Sequence, residues 1–457
     1  MNRTAAKILT LIGYGLFFAW FYYRYVPLIP AFQAVLAPIL AFLWIMTAAD
    51  AKKGLLAFCF IFPLINSLPY FFGIDETIPH APAALVVFLV FVLGRLTGRI
   101  FVKPDLAKVP LVLSLKLLAV WGGISALITF LRYMDFFPWA ASGIHELKVN
   151  VAGLSAGGAR MSVVFTSASL LSGIAMFGFF RQAFADPSLK KRLVNTLTLS
   201  ASVSFLFGYF QSFQSVVPGS TPYWNKLEQI NATFKDPNSL AAFIAGFVPL
   251  VIVYALGQSG VKHALLVILG GLGLGLLPLS GSRSGMAAIA VAAAVFVMGV
   301  LVGAGKALRK RVAFHVAGFL LFFVAWNIVA VPNSALSLRI GWSIYQLKEM
   351  KPPADPQIQG GGQTPADSQA REQVDIGDFF NKRLILWSAA GAMFRTAPLT
   401  GVGLGAFIVT FPDYLKERGW TKGFSDSALN LAFQIGAETG LVGLIFSLAF
   451  LVGLVGR

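Results

Sequence analysis

The sequence predicts an all-α, polytopic membrane protein, and three observations support that fold class. Hydrophobic residues make up 57% of the 457 residues and charged residues only 12%, whereas a soluble domain carries about 25% charge. About a dozen apolar runs are each close to the length that a helix needs to cross a bilayer. The runs are continuously apolar and do not alternate in polarity, which favours helices over the strands of a membrane barrel.

The predicted spans, in chain order, are residues 8–26, 28–48, 54–73, 82–98, 109–131, 161–180, 193–214, 239–257, 264–280, 285–304, 312–331 and 429–456. The first run has no small-residue cleavage site at its exit, so we interpret it as a retained helix and not as a signal peptide. The chain then divides into a transmembrane part (1–331), a long extracytoplasmic loop (332–428) and a final span (429–457).

The connections between spans alternate between basic and non-basic, and this alternation predicts the orientation of the protein. If the N-terminus is cytoplasmic, every strongly basic short connection falls on the cytoplasmic side, as the positive-inside rule requires. These basic residues are Lys52, Lys53, Arg95, Arg99, Lys103, Lys108, Arg181, Lys190, Lys191, Arg192, Lys262, Lys306, Arg309, Lys310 and Arg311. We therefore expect the remaining connections to face outward.

The long outer loop contains a stretch rich in Pro, Gly and Gln, residues 352–369, which is typical of a flexible segment. Residues 379–419 regain helical periodicity, with apolar Phe380, Leu384 and Trp387 at helical spacing. We expect amphipathic helices there that lie over the membrane surface.

The composition also excludes several classes of site. One cysteine, Cys59, allows no disulfide framework, and the four histidines (His80, His145, His263 and His315) lack the spacing of metal ligands. We expect neither a metal nor a cofactor. The net charge of +17 is spread over membrane-flanking connections and is not concentrated in one domain, so orientation explains it better than nucleic-acid binding.

The first candidate motif is the turn 279–285, Leu-Ser-Gly-Ser-Arg-Ser-Gly, between two spans on the outer face. The guanidinium of Arg283 can bind a phosphate with two hydrogen bonds, and the following helix N-terminus adds backbone donors. An arginine that reaches to lipid headgroups is an equally good interpretation of this motif alone.

The second motif is residues 232–238, Ala-Thr-Phe-Lys-Asp-Pro-Asn, directly before a span. Asp236 as a cap and Pro237 as the first helical residue predict a helix start, which also explains Asn238. Lys235 and Lys226 remain as cations at the level of Arg283, suited either to a diphosphate or to lipid headgroups.

The third motif runs from Arg383 and Trp387 to the glycine-rich segment 398–407. No strand precedes the glycines, so they predict a turn and close backbone packing and not a nucleotide-binding loop; Arg383 is a further candidate anion ligand. In the fourth motif, Asn430, Gln434 and Glu438 recur every four residues and share one helix face, which is suited to a cavity or to hydrogen bonds between helices.

The four motifs together resemble the O-antigen ligase and polymerase superfamily of bacterial envelope enzymes, over roughly residues 225–457. The motifs are TFKDPN, SGSRSG, R-x-x-x-W followed by PLTGVGLGAF, and N-x-x-x-Q-x-x-x-E-T-G-L-x-G. The resemblance implies a metal-independent, inverting glycosyltransferase of the inner membrane, acting on the periplasmic face. It implies an undecaprenyl-diphosphate-linked glycan as donor and a glycan or lipid A-core as acceptor.

The resemblance also assigns roles to residues. Arg283 matches the turn arginine that holds the donor diphosphate. We expect the candidate anion ligands Lys235, Arg383 and Lys226 to assist it, with Asn238, Asn430 and Gln434 as supporting residues. Two positions depart from the family pattern: Leu429 replaces a histidine, and Glu228 and Gln229 stand where an arginine is usual. The candidate replacement bases are Asp426, Glu438 and His145.

Alternative functions remain open at this stage. The missing histidine favours a polymerase or exopolysaccharide enzyme over a lipopolysaccharide ligase, and a chain-length regulator would then be an expected partner. A transporter or flippase would need a polar path at mid-bilayer, of which the sequence offers little. A non-catalytic subunit that binds lipid-linked glycan is the third possibility.

Overall fold

The computed structural model describes residues 3–74, 81–101, 112–132, 156–214, 217–221, 229–303, 377–417 and 430–455, together with residues 224, 305, 312, 317 and 428. These residues form helices and turns, and no strand occurs among them. The helices are α1 Arg3–Tyr25, α2 Pro30–Ala49, α3 Ala51–Ile61, α4 Leu68–Phe71, α5 Ala83–Phe101, α6 Leu113–Arg132, α7 Ala156–Phe184, α8 Pro187–Ser212, α9 Pro237–Leu256, α10 Gly260–Ser280, α11 Arg283–Gly303, α12 Gly377–Thr396, α13 Phe407–Glu417 and α14 Leu431–Val455.

The predicted class, an all-α polytopic membrane protein, is confirmed. Nine helices in the described residues are long and apolar enough to cross a membrane, and each corresponds to one predicted span. A tenth predicted span, 285–304, is the apolar helix α11. The predicted span 312–331 lies outside the described ranges.

The third predicted span, 54–73, is wrong as a continuous helix. α3 ends at Ile61, turns follow, and one helical turn, α4, completes the segment. Pro63 follows the last turn of α3 and has no backbone N–H to continue the helix. The backbone groups released by the break bind another part of the chain: Ser67 N donates to Thr233 O at 3.0 Å, and the Thr233 hydroxyl donates to Pro63 O at 2.7 Å.

In the described part of the chain, three clusters of buried apolar side chains hold the helices together. The first centres on α1, α2, α3 and α5, the second on α8, α9 and α10, and the third on α12, α13 and the start of α14. α14 also packs along α6, and α7 contacts α5, α6, α8 and α13. α7 therefore connects the three clusters.

Basic side chains from different connections meet at one end of the bundle, which we call the basic end. Lys52 Nζ lies 3.0 Å from Asp186 Oδ2, and Lys7 Nζ donates to Arg99 O at 3.2 Å. Lys52, together with hydrogen bonds from Ser188 and Leu189, holds the pKa of the Asp186 carboxyl well below its usual range. These contacts join connections that the charge pattern assigns to one side.

The polar turns lie at the opposite end, which we call the motif end. α8 and α10 begin at the basic end, where Asn195 and Lys262 approach each other at 3.4 Å, so their far ends lead into residues 229–236 and 281–282. In α14 the Phe450 ring contacts Phe177, close to the basic end of α7, at 5.2 Å. The start of α14 therefore lies toward the motif end.

Candidate functional site

The turn before α9 is the first part of the candidate site. The Asp236 carboxylate accepts hydrogen bonds from Asn238 N and Ser239 N, both at 2.9 Å, and Pro237 is the first helical residue. The predicted helix start is confirmed. The side chains of Lys235 and Asn238 are exposed at the motif end, where they can meet a ligand from outside.

A buried polar network fixes this turn in an unusual conformation. Ala232 has φ of 48°, which L residues rarely adopt. The Gln211 amide holds it from both sides, because Oε1 accepts from Ala232 N at 2.7 Å and Nε2 donates to Ala232 O at 3.1 Å. Asn231, which is fully buried like Gln211, donates to Gly219 O and Phe234 O. Such over-determined strain is typical of ligand sites.

The turn between α10 and α11 is the second part of the site. Gly281 ends α10 in the left-handed conformation, with φ of 65°. Ser282 then caps α11, since its hydroxyl accepts from Gly285 N at 3.2 Å. Arg283 is the first residue of α11, where backbone N–H groups and the positive end of the helix dipole favour an anion.

The structure brings these two turns together. A Cβ on Gly285 would lie only 2.4 Å from the Ala241 Cβ, so glycine is needed for α11 to pack this closely on α9. Ile230 N also donates to Leu279 O at 3.2 Å. The N-termini of α9 and α11 therefore lie side by side at the motif end, with Lys235 on one and Arg283 on the other.

A partly open apolar cavity of about 400 Å³ lies beside the break after α3, which is hydrogen-bonded to the turn before α9. Its walls come from the break after α3 and from α5, α7, α8 and α9, and they include Pro63, Phe88, Gly173 and Phe243. Pro63 is the residue whose carbonyl accepts the Thr233 hydroxyl. The site thus combines a polar, cationic turn with an adjacent apolar volume inside the bundle.

The third and fourth motifs form a second unit, built on a break in α14. Gly440 interrupts the helix, with φ of 65° and ψ of −164°. The segment 397–406 binds the backbone groups that the break exposes: Gly403 N donates to Glu438 O, and Leu441 N donates to Pro398 O. A Cβ on Gly401 would lie 2.3 Å from the Glu438 carbonyl carbon. The predicted role of these glycines in close backbone packing is confirmed.

The three polar residues of the fourth motif all bind backbone N–H groups. Asn430 Oδ1 accepts from Ala432 N at 3.0 Å and caps α14, and Gln434 Oε1 accepts from Ala428 N at 2.6 Å. Glu438 is 2% exposed, and its carboxylate accepts from Phe407 N at 3.1 Å at the start of α13. These contacts give each residue a positioning role.

Sequence reasoning missed Arg132, the last residue of α6. Its guanidinium donates to Gly401 O at 2.8 Å and to the Thr400 hydroxyl at 3.3 Å. Arg132 is exposed and adds a cation to the glycine-rich segment. A charged residue at the end of an apolar run was the available signal, but its partner lies about 270 residues away in the chain.

The four motifs therefore form two groups in the structure. The first two motifs are in direct contact, as are the last two, while α7 connects the groups through its contacts with α8 and α13. Arg383 lies in α12, which packs on α14. Lys226, His145, Asp426 and Leu429 fall outside the described residues.

The described residues contain no group of three or more His, Cys, Asp or Glu side chains that could hold a metal ion. The expected metal-independent chemistry stays a prediction, because part of the chain lies outside those residues. In the described part of the site, Lys235, Arg132 and the helix N-termini supply positive charge.

One comparison with known proteins finds a match. The family model described as O-antigen ligase matches residues 265–448, which covers most of α10, then α11 to α13, and most of α14. The match confirms the resemblance to this superfamily. Its range includes the Arg283 turn and the last two motifs, while the turn 232–238 lies before it. No curated protein and no solved structure matches the chain.

Proposed function

Residues 265–448 carry the domain of the O-antigen ligase and polymerase superfamily, and from that premise we propose a specific reaction for this membrane protein. It transfers a glycan from an undecaprenyl diphosphate donor to the hydroxyl of a second glycan or of a lipid A-core acceptor. Without the family histidine, a lipid-linked glycan is the preferred acceptor, so the protein acts as a polymerase, with a chain-length regulator as its partner.

The proposed reaction is a displacement at the anomeric carbon of the donor. The acceptor oxygen forms a bond to that carbon while the bond from carbon to the diphosphate oxygen breaks, and the configuration inverts. The diphosphate leaves with the bonding electron pair and stays on the polyprenol. The proton of the acceptor hydroxyl goes to a carboxylate. Fixed cations that neutralise the leaving diphosphate would provide the main rate enhancement.

The observation that carries this proposal is the junction of three features at the motif end. Two helix N-termini lie side by side, Lys235 precedes one and Arg283 begins the other, and an apolar cavity lined by Pro63 is joined to the turn before α9 by the Thr233 hydrogen bond. A polyprenyl diphosphate needs both a cationic surface and an apolar one. The phosphates would bind at the helix N-termini and the first isoprene units in the cavity. We assign the diphosphate to Arg283 and Lys235, with Lys226 and Arg383 completing the site.

Asp426 is the proposed base. Glu438 is the family-matched alternative, but its carboxylate already accepts from Phe407 N in a buried position, which favours a positioning role. Asn238, Asn430 and Gln434 support the site through the helix starts and turns that they occupy.

The charge pattern supports an orientation with the basic end in the cytoplasm and the motif end in the periplasm. That orientation gives the site access to glycans already carried across the inner membrane. It fits the superfamily, whose lipid-linked substrates are used on that face.

The proposal is tested by glycan transfer in proteoliposomes, with purified lipid-linked donor and acceptor. We expect Arg283→Ala to lower the rate at least about 100-fold, as the loss of a charge-stabilising donor typically does. Arg192→Ala, at the basic end, is the matched control and should keep wild-type activity.

Transfer by Arg283→Ala at the wild-type rate would contradict the catalytic assignment. No transfer by wild type, combined with donor binding, would instead favour the non-catalytic subunit. ATP-independent movement of intact donor across the bilayer without transfer would favour a flippase.

A further inference from the structure

Arg95 is a buried cation near the basic end that the proposed reaction does not use. It lies six residues before the end of α5 at Phe101, which is about 9 Å along a helix. Its side chain is 6% exposed, and Nη1 has no hydrogen-bond partner among the residues that the structure describes. Burying a charged group without a partner costs several kcal/mol, so this arrangement calls for a ligand.

The surroundings hold the guanidinium in place but do not neutralise it. The Phe179 ring of α7 lies 4.9 Å from Arg95 Cζ, a cation–π contact that fixes the plane of the group. In the described part of the chain, the two ion pairs are Lys52 with Asp186 and Lys53 with Asp50. The described carboxylates at this end, Asp50 and Asp186, are therefore already engaged, while Asp105 lies outside the described residues.

Further cations lie at the same level. Arg99 is one helical turn further along the same face of α5, and Lys7 of α1 donates to the Arg99 carbonyl oxygen at 3.2 Å. The three cations thus come from two adjacent helices and converge close to the end of the bundle. A ligand that binds this cluster would therefore carry negative charge.

Apolar side chains are also exposed on α1, the helix that carries Lys7. α1 contacts α5, and it exposes a row of aliphatic side chains: Ile8 41%, Leu9 58%, Ile12 52% and Leu16 67%. A ligand with a phosphate for Arg95 and Arg99 and acyl chains for this surface fits both features. Cytoplasmic leaflets supply anionic phospholipids at this depth.

We propose that Arg95, Arg99 and Lys7 form a binding site for the phosphate of an anionic glycerophospholipid at the basic end. The guanidinium of Arg95 binds the phosphate, and Arg99 and Lys7 attract it. The bound lipid joins α1 to α5 and α7. This site is separate from the motif end and does not depend on the proposed reaction.

The test is the thermal stability of the purified, delipidated full chain in detergent. Phosphatidylglycerol should raise the Tm more than phosphatidylcholine or inorganic phosphate does. Arg95→Met should lose most of that increment, and Arg95→Lys should keep part of it. Lys53→Met, a change of an exposed cation at the same end, should keep all of it.

Equal stabilisation by the two lipids, or an unchanged increment in Arg95→Met, would overturn the proposal. So would inorganic phosphate that stabilises as well as phosphatidylglycerol, because the site would then not be one for lipids. If Arg95→Met does not fold, Arg99→Met and native mass spectrometry of bound lipid give the same comparison. Loss of bound anionic lipid in Arg99→Met supports the site, and full retention contradicts it.

Discussion

At the scale of single residues, Glu438 is a candidate general base whose carboxylate has a structural role in the folded protein. Its side chain lies within an apolar helix, where an ionisable group is normally a functional signal. In the structure it accepts a hydrogen bond from Phe407 N and connects α14 to the start of α13. An amide oxygen can accept the same bond, whereas a methyl group cannot.

We therefore expect Glu438→Gln to keep most of the transfer rate and Asp426→Asn to lower it by about 100-fold or more, the usual loss when a general base is removed. Glu438→Ala should lower the free energy of unfolding by about 1–3 kcal/mol, because it leaves a buried N–H without a partner. Transfer assays and thermal unfolding of the three variants check this. An inactive but stable Glu438→Gln would make Glu438 the base.

Single residues also mark the limit of inference from the sequence. Asp236, Pro237 and Gly281 act through neighbours within four residues, so helix-start and turn rules predict them. Gln211 and Arg132 act through partners 21 and 269 positions away. No spacing rule reaches that far, although a lone polar residue in an apolar run, such as Gln211, was a usable signal.

At the scale of elements, the break in α14 is the feature that organises the last two motifs. Gly440 has a left-handed φ, and a Cβ there would lie 2.4 Å from the Leu399 carbonyl carbon. The segment 397–406 supplies hydrogen bonds for the backbone groups on both sides of the break. A side chain at this position would therefore disturb both the backbone and the packed segment.

We expect Gly440→Ala to destabilise the protein by more than about 1 kcal/mol, from left-handed strain and the clash together. Gly453→Ala, in the same helix, is the matched control: a Cβ there meets no atom within 4 Å, so stability should stay the same or rise slightly. Thermal unfolding in detergent measures both. Equal Tm values for the two variants would show that the break is not required.

The predicted span 54–73, which the described residues show to be broken, is also explained by a local element. Apolar length predicted a single helix over 54–73, but Pro63 and Ser67 interrupt it and bind the turn at Thr233. Hydropathy measures how apolar a run is and does not show whether its backbone is needed elsewhere. The proline within the run was the local signal of the break.

At the scale of the whole molecule, the pairing of helix ends agrees with the predicted separation of basic and polar connections. Basic connections meet at one end and polar turns at the other, as the loop charges required. Which end faces the periplasm follows from the charge rule alone and needs its own test. Cys59, the chain's one cysteine, is 1% exposed, so wild type provides a background of low reactivity with maleimides.

We expect Asn238→Cys to react with a membrane-impermeant maleimide on spheroplasts, and Lys53→Cys to react only after the membrane is permeabilised. Both native residues are exposed, one at each end of the bundle, so access to the reagent decides the outcome. The extent of labelling is read by the mass shift of the purified protein. The reverse pattern would place the motif end in the cytoplasm.

The central claim is that the motif end seats a polyprenyl diphosphate beside the apolar cavity, and a photo-crosslinking measurement tests it most directly. The probe is a polyprenyl diphosphate with a diazirine on its first isoprene units, and the readout is the set of crosslinked peptides.

We expect crosslinks within residues 59–63, 82–88 and 169–180, which contain most of the residues that line the cavity. Gly173 and Gly246 are both exposed positions where a Cβ meets no atom within 4 Å, but Gly173 lines the cavity and Gly246 does not. Gly173→Leu should therefore reduce the crosslinks, because the new side chain projects into the cavity, whereas Gly246→Leu should not. Crosslinks spread over the outer surfaces of α1 and α2, and unchanged in Gly173→Leu, would contradict the central claim.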